Sequence, residues 1–537
     1  MKKLLAVVAA VACVTAFAVT DYTWTGNGDD NRWSTAGNWE GGVAPDASDA
    51  NIVVSNDTAV TIVLDGVRKA NGFTLKGAAP VTLSAVDNTC YVTNDYSGNA
   101  NASFIKVTQA EGVFNLEARV HFPNRVDLHC EGSVHFRNRF SQGSHNLYPQ
   151  CGKFYFEGDS ETRAYQVGVG YASDAKDKFC GLYFSDNAQF IVTTGFSMGT
   201  HTKSPSAEVV VDGDGVLLES NSSSTIGEAE SSENLQRFVL KRGTVNLKWP
   251  TFASKRPAEF VQEGGTFTCV SYGMLGKSVN SRGQVLLKGG KFISQGQVTG
   301  ASGTPVKIVL DGGSLEVNGD VQCDIAVTAN GGELVSSKTG SRKTNSFFGT
   351  LDVAAGGTLK TGGALPFYFE RDITVDGEIE LASGSLVLNA AGVRRTTTSD
   401  VPWKLTIRDG AIFDIAQPCS YFWHLPDVLT EGTGGLRLAG RNACFVHSFA
   451  HVDGATTNVA GRGTYFANTT TTAGTIVQDG RLEFYHDPSD LRASTLVVNG
   501  FLRVNSNCAN VLLGNVVVNT AEADASAVSY PNPLLVY

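Results

Sequence analysis

One phrase recurs along this chain of 537 residues and limits its fold more than any other feature: two or three alternating apolar residues, a glycine turn, then alternation again. It reads FVQEGGTFTC at 260–269, VLLKGGKFIS at 285–294, IVLDGGSLEV at 308–317 and AVTANGGELV at 326–335. LDVAAGGTLK (351–360), ITVDGEIEL (373–381), LTIRDGAIFDI (405–415), TIVQDGRLEF (475–484) and LVVNGFLRV (496–504) continue it; VVVDGDGVLL (209–218) and FVLKRGTVNL (238–247) precede it. The glycines Gly264, Gly289, Gly312, Gly331, Gly356 and Gly377 are 25, 23, 19, 25 and 21 residues apart. Strand-type alternation at a period of about 20–25 residues marks a solenoid. Alternation aims Ile308 and Leu310 to one side, and Leu315 and Val317 likewise after the turn. Asp311-Gly312-Gly313 and Asn318-Gly319 supply residues that tolerate positive φ.

A unit this short, repeating without a restart, predicts an all-β chain folded as a right-handed parallel β-helix. The alternative is a string of β-sandwich domains, which needs roughly 100 residues per unit. Coils of ~23 residues stack at ~4.8 Å, so the stretch from residue 66 onward makes ~20 coils. Composition agrees: Gly is 59 and Pro only 15, charged residues are 18% and hydrophobic residues 42%. That is a folding, strand-rich chain. Its net charge of -10 argues against nucleic acid as a partner.

The N-terminus, MKKLLAVVAAVACVTAFA, has a basic start at Lys2 and Lys3, an apolar run and a small-x-small end at Ala16-Phe17-Ala18. This is the pattern of a Sec-type signal peptide, with cleavage expected between Ala18 and Val19. Cys13 raises a lipoprotein alternative, but Ala10 stands where a lipobox prefers Leu. No later stretch approaches 18 apolar residues, so no integral membrane segment is expected after leader removal. The expected organisation is a leader at 1–18, a Trp-rich capping module at 19–65 and a β-helical repeat region at 66–537. The location implied is secreted or on the outer cell surface.

The nine cysteines after the leader are odd in number and scattered, and no CxxC pair occurs, so neither a disulfide scaffold nor a zinc ribbon is expected. Cys130 and Cys151 are 21 apart, and Cys419 and Cys444 are 25 apart. Each pair falls on adjacent coils, at a spacing a disulfide tolerates; the alternative is a stacked pair of buried thiols.

The stretch TWTGNGDDNRWSTAGNWEGGVAPD (23–46) holds three of the six tryptophans, Trp24, Trp33 and Trp39. Exposed, they would stack on sugar rings. Buried, they would close the open end of a solenoid, which otherwise presents strand edges and apolar core.

The repeat phrases resemble the autotransporter-associated β-strand repeats of large bacterial surface proteins. GRGTYFANTTTTAGTIVQDGRLEF (461–484) carries that likeness best: GxGT, a short apolar strand, a Thr-rich turn, then an apolar-x-apolar step after Gly480. The opening stretch resembles the N-terminal module of such proteins through Trp24, Gly26, Trp33, Asn38, Trp39, Pro45 and Asp49. The resemblance covers roughly 21–65 and, more loosely, 200–510. It implies an extracellular, passenger-like β-helix. The last residues, SAVSYPNPLLVY, do not read as the strands of a translocator barrel.

Gly195-Phe196-Ser197-Met198-Gly199 matches the GxSxG elbow, but the stretch after it resumes as strand where that chemistry needs a helix. Gly276-Lys277-Ser278 lacks the earlier glycine of a P-loop, and Asp212-Gly213-Asp214-Gly215 is too short for a calcium loop. The segment ARVHFPNRVDLHCEGSVHFRNRF (118–140) is richer. Arg119, Arg125, Arg137 and Arg139, with His121, His129 and His135, make a candidate contact for anionic glycans. The alternative is a solvated face. No metal ligand set, cofactor or catalytic residue is assigned. The expected function is a non-catalytic surface solenoid in adhesion, glycan binding or structural display, with polysaccharide or another cell surface as partner. A polysaccharide-degrading β-helix, lyase or glycoside hydrolase, is the alternative.

Overall fold

A computed structural model describes residues 19–95, 102–171, 178–199, 205–227, 234–253, 257–275, 283–300, 306–336, 345–371, 373–388 and 403–415, and beyond these the backbone of strands between 393 and 536. Among the described residues the one helical element is the three-residue turn Ala36–Asn38. All other regular structure is β-strand. The chain divides into two compact units, Met1–Gln166 and Val167–Tyr537.

In the first unit each turn of chain lays down three strands, and each strand pairs in parallel with the strand one turn on. On the first face Ala50–Val54 pairs with Gly72–Leu75, then Ser103–Val107, then the start of Val126–Phe136, then Asn146–Phe156. Val60–Leu64, Val81–Ala85, Val113–Leu116 and the end of Val126–Phe136 form the second face. Arg68–Lys69, Tyr91–Thr93, Arg119–Phe122 and Phe140–Gln142 form the third. The strand Thr20–Trp24 runs parallel to Ala50–Val54.

The second unit repeats the scheme. Ala258–Gln262, Gly283–Leu287, Lys307–Leu310 and Asp324–Val327 follow one another on its first face. Thr266–Cys269, Lys291–Ser294, Ser314–Val317 and Gly332–Ser336 follow on the second. Gly273–Leu275, Val298–Gly300, Val321–Gln322 and Asn345–Phe347 follow on the third. The coils make a parallel β-solenoid of about 12 turns. A string of sandwiches would be built from antiparallel ladders; every strand ladder described here is parallel, and the antiparallel pairing is the single bridge Trp24↔Trp39. Parallel pairing is thus already present within the stretch 19–65, where Ala50–Val54 is buried along its whole length.

Alternation builds the core. In Val126–Phe136 the residues Val126, Leu128, Cys130, Val134 and Phe136 are buried. Parallel register sets like positions over one another at ~4.8 Å, so equal residue types form stacks. Phe136 lies on Phe156 at 4.7 Å, Phe267 on Phe292 at 4.8 Å and Phe347 on Phe369 at 4.8 Å. Each such pair adds about 0.5–1.5 kcal/mol beyond burial.

The repeated glycines have a second cause besides φ. Gly265 and Gly290 do take positive φ, +64° and +69°, but Gly264 and Gly289 beside them do not. A Cβ at Gly265 would stand 2.5 Å from the carbonyl oxygen of Gly243, and one at Gly290 2.4 Å from that of Gly265. At this corner backbone rests directly on backbone, which only glycine permits.

A buried polar chain runs through a corner of the first unit. Asn94 donates to Asn71 Oδ1 at 2.9 Å, Ser103 donates to Asn124 Oδ1 at 2.8 Å, and Gln142 donates to the Asn124 carbonyl at 2.9 Å. All five side chains are buried and each finds a partner one turn away.

Cys130 and Cys151 are held as buried thiols. The register slips between them, so that His129 stands opposite Cys151. Burial pushes the Cys269 and Cys323 thiols up to about 12. The pairing of Cys419 with Cys444 lies outside the described residues.

Candidate functional site

Two stretches singled out by the sequence have well-defined places. In the first, Trp24, Trp33 and Trp39 are 5%, 0% and 2% exposed. Trp24 meets Trp39 edge-on at 5.0 Å, Trp39 meets Trp33 at 5.2 Å, and Trp33 meets Phe73 of the coil at 6.5 Å. The indole N–H of Trp33 donates to the Pro45 carbonyl at 2.8 Å, and that of Trp39 to the Trp33 carbonyl at 2.7 Å. Buried Asn38 closes the loop: its Oδ1 accepts from Gly28 N at 2.8 Å, and its Nδ2 donates to the carbonyls of Asp30 and Arg32 at 2.7 and 3.0 Å. Asp49 accepts from Thr20 through backbone and side chain. The motif residues thus serve internal contacts, and the three indoles offer no open ring face to a sugar. Of the two residues at the expected leader cleavage, Ala18 lies outside the described residues and Val19 is exposed.

The second stretch, 118–140, wraps around all three faces, because Val126–Phe136 turns a corner in mid-strand. His121 therefore sits on the third face, His129 on the first and His135 on the second. His121 bonds the Ser141 hydroxyl at 2.8 Å, while His135 stacks on Tyr155 at 4.5 Å and bonds Glu157 at 3.0 Å. Burial, reinforced by the charges of Arg139 and Arg119, pulls the His121 pKa down against an opposing hydrogen bond to Ser141.

The arginines are likewise divided. Arg119 lies over the Tyr91 ring at 5.5 Å and donates to the Asn88 carbonyl at 3.0 Å. Arg139 stands one turn on in the same column, 3.8 Å from the Glu161 carboxylate. Arg125 covers the Tyr148 ring at 4.7 Å and bonds Asp127 at 2.8 Å. Arg137 forks between Glu117 at 3.3 Å and Glu157 at 3.1 Å, and the Glu157 bond raises its pKa. Three of the four thus face a carboxylate of their own unit. What they form is a set of coil-to-coil clamps, with Arg119 and Arg139 side by side on one column.

Gly195–Gly199 lies at the end of the continuous strand Gln189–Met198, and Ser197 donates to the Val167 carbonyl at 3.1 Å. Asp212 sits within Ser206–Ile226 and holds Arg242 at 2.9 Å and Lys241 at 3.3 Å. Gly276-Lys277-Ser278 lies outside the described residues. Among the described residues no group of three or more His, Cys, Asp or Glu side chains is placed to hold a metal ion, and no helix is long and apolar enough to cross a membrane.

One feature the sequence does not flag is an exposed aromatic pair. Trp249 and Tyr272 are 40% and 41% exposed, with ring centroids 6.5 Å apart. Trp249 has φ +48°, in the left-handed region, which costs a non-glycine residue on the order of 1–3 kcal/mol. Their only signal in the sequence is a separation of one coil length.

Fold and site together define a class: a parallel β-solenoid with coil-spanning ion pairs and a tryptophan-packed N-terminal module. No family model, curated protein or solved structure matches this chain.

Proposed function

We propose that this protein is a secreted or cell-surface, right-handed parallel β-solenoid that serves adhesion by binding glycans, without catalytic chemistry of its own. The N-terminal leader is its export signal, and the tryptophan module caps the first coil. The repeats make it a relative in kind of the autotransporter-associated β-strand repeat proteins. The observation that carries the functional reading is the in-register stacking of parallel coils. Outward positions then recur along a column at about 4.8 Å, which suits many weak contacts to a repeating polymer. The use of carboxylates supports it: Glu208 and Glu259 flank Arg237 at 3.1 Å each, and Glu380 binds Arg408 at 2.9 Å. These acids hold coils together.

The test is a glycan array probed with residues 19–537, with product detection on the same glycans. Binding without turnover is expected. Release of shortened or unsaturated products would make the protein a polysaccharide-degrading enzyme, and no binding to any glycan would end the reading.

A further inference from the structure

Trp249 is the extra residue of a β-bulge. In the ladder between Ser206–Ile226 and Gln236–Phe252, Ser223 stands opposite Lys248 and Ser224 opposite Pro250, so Trp249 has no opposite number. Bulges re-aim side chains, and here the bulge turns the largest side chain of its strand outward. The residue is in the left-handed region, at φ +48°, and directly precedes a proline, two circumstances that disfavour an ordinary side chain. Burial compensates only in part, since Trp249 is 40% exposed. Strain held at an exposed aromatic residue points from the backbone to a use outside the fold.

The surroundings suit one kind of ligand. One coil later at the same corner Tyr272 is equally exposed, and its ring is tilted only 33° from the indole. The Lys248 ammonium lies 4.9 Å from the indole centroid and steadies it. The next coil brings Gln295 and Gln297 to this corner: Gln295 N donates to the Cys269 carbonyl and Gln297 accepts from Gly273 N. The corner thus offers two aromatic faces on successive turns, then amides able to bond hydroxyl groups.

We propose that Trp249 and Tyr272 form a binding platform for an extended polysaccharide running across the coils, with one pyranose ring stacked on each aromatic ring. This rests on the glycan-binding reading above and gives it a site. Lys248 lies where a uronate carboxylate would meet it, so neutral and acidic chains differ in their need for that residue.

The experiment uses residues 19–537, titrated calorimetrically with cellohexaose and with hexagalacturonate. Wild type is expected to bind at least one of them. Trp249→Gly is expected to weaken that binding about tenfold or more, as loss of one aromatic stack does. Its thermal midpoint is expected to match or exceed wild type, because glycine adopts φ +48° without penalty. Tyr272→Ala is expected to weaken binding as well, and Trp249→Phe to retain most of it. If hexagalacturonate is the ligand, Lys248→Gln weakens it; if cellohexaose is, Lys248→Gln leaves it unchanged. Wild-type binding to either probe that survives Trp249→Gly overturns the site and leaves the wider reading standing. A thermal midpoint of Trp249→Gly well below wild type makes the indole a packing residue and also overturns it. Wild-type protein that binds neither probe overturns the site, and if it also binds no glycan on the array the wider reading falls with it.

Discussion

Single residues in this protein carry unequal weight, and burial separates them. Trp33 is wholly buried, packs on Trp39 and Phe73, and donates to Pro45. Trp33→Ala removes a ring and leaves an unmatched carbonyl, so a loss of about 3–5 kcal/mol is expected in chemical unfolding of the first unit. A Trp33→Ala protein as stable as wild type would show that the module is an appendage. Asp65 anchors the same module through Ser34 and Arg68. Burial pushes its carboxyl up, but the bonds from Ser34 and Arg68 outweigh that and hold it below 3.8. The unfolded chain therefore takes up the proton first. The stabilisation is complete above the unfolded value and is lost as pH falls through the folded one. The stability gap between wild type and Asp65→Asn is expected at pH 7 and should close below pH 3.8. His121 has the opposite charge but the same pH sense: its folded pKa lies below 6.5, so the neutral ring is favoured in the native state. Its contribution is complete above that value and declines as pH falls towards the folded pKa. His121→Gln should flatten the stability profile on the acid side of pH 6.5.

At the scale of strands and corners, glycine positions sort into two kinds. Gly356 has φ +78° and nothing within 4 Å of where a Cβ would stand. Gly265 has φ +64° and a backbone carbonyl 2.5 Å away. Gly356→Ala is expected to cost about 1 kcal/mol, from the left-handed conformation alone. Gly265→Ala should cost distinctly more, since two coils must part. Equal losses in thermal unfolding would refute the backbone-on-backbone account. Alternation made strands and core legible from sequence: Ile308, Leu310, Leu315 and Val317 are all buried, as their spacing requires. Corners were not legible in the same way. The histidines at 121, 129 and 135 look like neighbours in sequence, yet a turn within Val126–Phe136 sends them to three faces. Trp249 escapes notice because a one-residue bulge is defined by its partner strand, which the linear pattern does not reveal.

For the molecule as a whole, nearly every pairing joins residues one turn apart. Val126 lies opposite Leu147, and Ala258 opposite Gly283. Stability in such an array is a sum over coils and their nearest neighbours. Removing a whole turn, residues 126–146, would set Leu147 where Val126 had been, against Ser103. That deletion should retain a cooperative unfolding transition. Deleting 126–136 alone takes out two faces and leaves the third, and should abolish it. Equal tolerance of both deletions would contradict an array held by register. The tryptophan module is an addition to this scheme that the sequence announces through composition. The identity of each outward column depends on register, and so emerges only in three dimensions.

The column Glu208–Arg237–Glu259 has a consequence for how such a chain changes over time. An exchange of Arg237 for a neutral residue leaves two carboxylates two turns apart with nothing between them. The cheapest repair is a second exchange at 208 or 259. Accepted substitutions should therefore correlate at separations of one turn and two, so that the sequence history of the protein beats with the same period as its coils.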